Sequence, residues 1–167
     1  MPKTVICDTS AIFNLHRLRR LGLLKELYGN IIIPQTVASE LEQGNIAGED
    51  VPDLAKFPWI RIKHIRMPKI IGLMIDLGPG EAGVLALALE EPDSLVILDD
   101  LLARRVAELQ GIKLTGTLGI LLKAKQQGRL EYVAPLIEEL HKLGFWLSNS
   151  MQHDILKLAG ELQDKES

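Results

Sequence analysis

The stretch 95-LVILDDLLARRVAEL-109 decides how this chain folds. Four aliphatic residues, Leu95, Val96, Ile97 and Leu98, run straight into two adjacent carboxylates, Asp99 and Asp100, and a helix-spaced segment follows at once. A strand sends successive side chains to opposite faces. A strand apolar at every position is therefore covered on both faces, as strands of parallel sheets are. One carboxylate after such a strand can cap the helix that follows. Two are more than a cap needs.

Working outward, the same alternation recurs. TVICD (4–8) reads as a strand, TSAIFNLHRLRR (9–20) as a helix and LGLLKELYG (21–29) as a second helix ended by Gly29. NIIIP (30–34) is a strand stopped by Pro34, and QTVASELEQG (35–44) a helix stopped by Gly44. Residues 45–58 carry Gly, Pro and charges and read as a loop, and WIRIKHI (59–65) alternates like a strand. After a segment ending in LGPG come the helix EAGVLALALEE (81–91), the strand LVILD (95–99), the helix LLARRVAELQG (101–111) and the short strand KLTG (113–116). Three helices close the chain: TLGILLKAKQQG (117–128), VAPLIEELHKLG (133–144) and a last one capped by Ser148. Strand–helix alternation of this kind predicts an α/β fold with a central parallel sheet covered on both sides. A single domain over 1–161 with a short polar tail, 162–167, accounts for the whole sequence.

Composition narrows the function. The 167 residues are 47% hydrophobic and 25% charged, an ordinary globular balance, with net charge −3. That balance exerts no global pull on nucleic acid, so any such binding needs a local patch. The single cysteine, Cys7, excludes an internal disulfide and lies in an apolar run, as a small buried hydrophobe does. The first residues enter a strand without the apolar core of a signal peptide, and no apolar run reaches the roughly 20 residues of a membrane span. The expectation is a cytoplasmic protein with no membrane partner. His16, His64, His141 and His153 show no paired spacing and read as non-catalytic. There is no GxxxxGK[ST] phosphate loop, and Gly78, Gly80 and Gly83 follow no convincing strand, so a dinucleotide fingerprint is not supported.

In open parallel sheets, ligands bind beyond the carboxyl ends of the strands. Acids gather there. Asp8 opens the first helix and reads as an N-cap or a metal ligand. Glu40 sits at the border of an apolar helical face, and Glu81 follows a Gly-Pro-Gly turn in a first helical turn, where a carboxylate complements the helix dipole. Asp99 and Asp100 end a strand, and either can face a ligand. Each residue has a structural explanation alone. Together they crowd negative charge at one edge, which is costly without a cation. Hard oxygen ligands suit Mg²⁺ or Mn²⁺, and such ions support phosphodiester hydrolysis by activating water and neutralising the leaving oxygen.

At this point the residues resemble the PIN-domain family, a ribonuclease superfamily. The motifs are CDTSAI with Asp8, TVASEL with Glu40, LGPGEAGVLALA with Glu81, and VILDDLLAR with Asp99 and Asp100. TGTLGILLKAKQQG and LGFWLS are similar to a subgroup described as predicted nucleic-acid-binding PIN proteins. The resemblance implies a three-layer α/β/α sandwich with extra C-terminal helices. It also implies a Mg²⁺ or Mn²⁺ site formed by Asp8, Glu40, Glu81, Asp99 and Asp100, and cleavage of single-stranded RNA. Many members resemble toxins of toxin–antitoxin pairs, acting as homodimers silenced by a small antitoxin protein. Where many carry a single Asp after a Thr-Asn pair, this chain has two adjacent Asp, so both remain candidates.

Candidate substrate contacts are Thr9 and Ser10 beside Asp8, Arg104 one turn past the Asp pair, and Thr115 and Thr117 at a strand end. Thr117 can equally cap its helix. Arg17, Arg19, Arg20 and Lys25, and Lys56, Arg61, Lys63, Arg66 and Lys69, offer positive charge for RNA and read equally well as a solvated face. Trp59 can stack a base or belong to the core. The rival reading is a PIN-fold module that binds nucleic acid without appreciable turnover. A third, a receiver-like phosphotransfer domain, needs a Lys at a strand end, and Lys113 begins its strand instead.

Overall fold

Val5, Ile6 and Cys7 are 5%, 0% and 0% exposed, and Val96, Ile97 and Leu98 are all fully buried. Because neighbouring strand residues face opposite ways, the sheet is covered on both faces here. The structure, a computed structural model, describes residues 1–66 and 76–162. Lys69 and residues 163–167 of the polar tail lie outside them. Five strands, β1 (Thr4–Cys7), β2 (Ile31–Pro34), β3 (Ile60–Lys63), β4 (Ser94–Ile97) and β5 (Lys113–Thr115), form one sheet. Every pairing is parallel and the order is β3-β2-β1-β4-β5. Eight α-helices are present among the described residues: α1 (Thr9–Arg17), α2 (Gly22–Tyr28), α3 (Gln35–Ile46), α4 (Pro79–Glu90), α5 (Leu101–Leu109), α6 (Thr117–Gln126), α7 (Ala134–Lys142) and α8 (Asn149–Leu158). This is the three-layer α/β arrangement that the apolar strands predict. No helix among the described residues is long and apolar enough to cross a membrane.

The strand order creates the site. From β1 the chain steps outward to β2 and β3, then returns to β4 on the other side of β1 and on to β5. β1 and β4 are thus neighbours at a topological switch point, where open α/β sheets leave a crevice. Their register pairs Cys7 with Ile97, and Ile97 with Thr115 of β5, so three strands end level. The Asp8 amide donates to the Ile97 carbonyl at 3.1 Å, and the Leu98 amide to that of Thr115 at 2.9 Å.

Several element ends differ from the sequence reading, each for a local reason. The first helix stops at Arg17, not Arg20: Arg19 takes a left-handed φ of 59°, and the turn buries both Leu18 and Leu21. Gly44 does not stop α3. It is buried inside the helix, where a β-carbon would lie 3.1 Å from both Glu49 Oε2 and Val51 Cγ1, so the returning chain packs on it. Gly48, with φ 79°, follows the real end. Helix α4 starts at Pro79 rather than Glu81, because proline is favoured in a first turn and Gly78 stands at the cap. Its residues 82–88 are all buried, as expected of a helix apolar on every side. Strand β4 ends at Ile97, leaving Leu98 and Asp99 to turn toward α5.

The chain divides into two compact units, residues 1–117 and 118–167. The sheet lies wholly in the first. In the second, Ser148 caps α8 by accepting from the Met151 amide at 3.1 Å, as its sequence position predicts. Helix α7 lacks a side-chain cap at its own Val133. Glu161 substitutes: its carboxylate, on a side chain only 6% exposed, accepts from the Val133 and Ala134 amides at 2.7 and 3.0 Å and pairs with Lys125 at 3.3 Å. Burial pushes the Glu161 carboxyl up, but the Ala134 and Val133 amides and the Lys125 ammonium together hold it below its ordinary value. The stability it contributes is therefore complete above the unfolded value of about 4.3 and is lost as pH falls through the lower folded value. Glu161→Ala should lower stability at pH 7 by about 2 kcal/mol. Thermal unfolding of the full chain should show that gap shrinking as pH drops toward 3; a gap that persists undiminished in acid would show that charge is not its source.

Candidate functional site

Asp8 sits directly after β1 and is 1% exposed. Its Oδ1 accepts from the Ala11 amide at 2.8 Å, so the helix-cap reading holds for one oxygen. Its Oδ2 is buried and has no hydrogen-bond partner. Burial pushes the Asp8 carboxyl well above the usual carboxylate range. The Ala11 amide opposes this, and repulsion from Asp99, Glu81 and Glu40 adds to it. Burial, then the charges of Asp8 and Asp99, likewise raise the Cys7 thiol, which keeps it protonated and inert.

The other acids arrive from three elements. Glu40, on α3, accepts from the Thr9 hydroxyl on Oε2 and from the Gly80 amide at 2.8 Å on Oε1. Glu81, in the first turn of α4, folds back over its own cap, where a β-carbon at Gly78 would press on Glu81 Oε2. Asp99 accepts three bonds, from the Thr117 amide at 2.8 Å, the Thr117 hydroxyl at 2.5 Å and the Asn14 side-chain amide at 3.1 Å. Asp100 is different. It is exposed, and its Oδ2 caps α5 by accepting from the Ala103 amide at 2.9 Å. The adjacent pair thus divides its roles, with Asp99 held by Thr117 and Asn14 and Asp100 turned to its own helix.

The remaining candidates fall around this group. Thr9 holds Glu40, and Ser10 is half-buried in the first turn of α1. Thr117 is fully buried, and its hydroxyl serves Asp99. Thr115 lies at the end of β5 and is half-buried. Arg104 donates to the Leu98 carbonyl at 2.8 Å. Its guanidinium lies against the face of Gly116, where a β-carbon would meet Arg104 Nη1 and Asp99 Oδ1 at 2.7 Å each. Lys63 is neutralised by Glu91 at 2.5 Å, and Trp59 sets its ring edge-to-face with Phe57. His16 pairs with Asp50. A groove of about 280 Å³ beside α3, lined by Gln35, Glu42, Asn45 and Ile62, contains none of the clustered acids.

Sequence reasoning missed two kinds of residue. Asn14 bonds Asp99 from 85 residues away. The signal was an Asn in the middle of a helix, a place it disfavours without a partner. Gly80 and Gly116 allow backbone to approach carboxylates closely, since a β-carbon at Gly80 would lie 2.5 Å from Glu40 Oε2.

A cation fits these residues on one observation above all: Asp8 Oδ2 is an orphaned, buried oxygen with three further acids raising its proton affinity. Among the described residues no group of three or more His, Cys, Asp or Glu side chains is arranged to hold a metal ion. Mg²⁺ needs none, because it keeps several waters and binds through one or two carboxylates. Without a cation, Asp8 is a liability. Its raised value means that the stability of its protonated form is present below about pH 3.9 and lost as pH rises through the folded value. Asp8→Asn keeps the capping oxygen and removes the charge. In EDTA at pH 7 it should be more stable to unfolding than wild type by about 1–3 kcal/mol, with the difference closing toward pH 4. A less stable Asn variant at pH 7 would contradict this account of the site.

PIN domains are generally nucleases, and they typically use divalent metals. No curated protein and no solved structure matches the chain. The family model DUF3368, described as a PIN domain, matches residues 4–161. With the all-parallel sheet and the acids at its β1–β4 crevice, that match places both units of the chain in one family: the protein belongs to the PIN-domain family.

Proposed function

We propose that the protein is a Mg²⁺- or Mn²⁺-dependent endoribonuclease that hydrolyses phosphodiesters of single-stranded RNA. The observation that carries this reading is the buried, partnerless Asp8 Oδ2, on a carboxyl that the charges of Asp99, Glu81 and Glu40 repel. Asp8 and one neighbouring acid would ligate the ion directly, and the others of the four would reach it through its waters. When bound, it supplies neutralisation of the phosphate and activation of water.

The protein's own contribution is to fix the acids before substrate arrives. A carboxylate offers about four lone-pair sites. Glu40 uses two on Thr9 and Gly80, and Asp99 uses three on Thr117 and Asn14, so each is oriented and keeps capacity to spare. Arg104, anchored on Leu98, brings a positive charge beside Asp99, where a phosphate oxygen would benefit. Asp100 stays with its helix. A toxin role with a small antitoxin, and a homodimer, belong to the same proposal; a small reading frame beside this gene that encodes a DNA-binding protein would support them.

The test is cleavage of a single-stranded RNA with Mg²⁺, with Mn²⁺ and with EDTA. Wild type should cut only with metal. Asp8→Asn and Asp99→Asn should each lose about 100-fold or more, while Asp100→Asn stays within several-fold of wild type. Undiminished cutting by Asp8→Asn would remove this site from the reaction. RNA bound without turnover by the wild type would leave a binding module instead.

A further inference from the structure

Helix α1 relates the acids to a surface that the site has not used. Thr9 holds Glu40 and Asn14 holds Asp99. At about 100° per residue, Thr9, Phe13, Arg17, Ser10 and Asn14 follow one another, in that order, across roughly 140° of the helix surface. The strip between the two acid-bound residues is therefore made of Phe13, Arg17 and Ser10. All three are half-buried.

Arg17 lies back over Phe13, with its guanidinium carbon 3.6 Å from the ring centroid. Helical side chains lean toward the N-terminus, so this carries the charge toward the Asp8 end of α1. Its Nε is buried without a hydrogen-bond partner, and it enters no ion pair among the described residues. A guanidinium has five donors in a fixed fork that matches the oxygens of a phosphate. Held over an aromatic ring, it loses little freedom when it binds. Lys63, by contrast, has already spent its charge on Glu91.

We propose that Arg17, seated on Phe13, is a phosphate-binding subsite that holds the RNA strand beside the position to be cut. The inference rests on the ribonuclease reading and adds to it a residue, a face and a direction for the strand along α1. Arg17 touches a backbone phosphate away from the reacting one, so it positions substrate. Phe13 acts through Arg17.

The experiment measures binding of a short single-stranded RNA to the full chain in EDTA, across a series of salt concentrations, by fluorescence anisotropy. Each phosphate contact on a single strand contributes about 0.7 to the slope of log affinity against log salt. Arg17→Gln should lower the magnitude of the slope by about 0.7 and weaken binding several-fold near 0.1 M salt. Phe13→Leu, which keeps the charge and unseats it, should weaken binding as well. In Mn²⁺, Arg17→Gln should raise KM more than it lowers kcat. Thermal unfolding close to that of wild type shows that the variants fold. If wild type binds and cleaves RNA while Arg17→Gln keeps the same slope and KM, the subsite is wrong and the ribonuclease reading survives. If wild type neither binds nor cleaves RNA, both fall.

Discussion

The two oxygens of Asp8 are in opposite circumstances, and the rest of the site follows from that. One closes the first turn of α1 on the Ala11 amide; the other is buried with no donor. A cap explains a buried Asp, but not an oxygen left empty beside Asp99, Glu81 and Glu40. A buried polar atom with no partner costs about 1–3 kcal/mol, and three neighbouring carboxylates add to that penalty. The fold tolerates this because the same residue both starts a helix and faces the crevice.

The crevice itself comes from strand order. Placing β4 next to β1, after two strands on the opposite side, makes their carboxyl ends a switch point. Level registers then deliver Asp8, Asp99 and Thr117 from three adjacent strands to one place. Glu40 and Glu81 come from helices that reach the same end, tied together where the Gly80 amide meets Glu40. Close approach sets the composition of the turns. Gly80 and Gly116 lie where a β-carbon would press on a carboxylate or on Arg104. Thus Gly78, Gly80 and Gly116 make room for acids rather than for a dinucleotide, while Gly83 makes room for Thr36 and Pro34.

Much of this was legible in the sequence. Continuous aliphatic runs give away the covered parallel sheet, and the rule that ligands bind at strand ends points to Asp8, the residue after Ile33, the Asp pair and the Thr115-Gly116-Thr117 turn. Tertiary packing decided the rest. Gly44 reads as a helix stop, yet it is a packing site for Val51. Asp99 and Asp100 look equivalent because the apolar strand before them fixes no register; only Asn14 and Thr117, distant in sequence, break the tie. Glu161 gives no local hint that it caps a helix beginning 27 residues earlier.

On the proposed reading, Asp8 Oδ2 is a ligand for a divalent cation. Calorimetric titration of Mn²⁺ into the metal-free wild type and into Asp8→Asn addresses it without any substrate. The account predicts that wild type binds Mn²⁺ and that the Asn variant, equally folded, binds it about 100-fold more weakly or not at all. Equal affinity in the two proteins, or no binding by wild type, would contradict it.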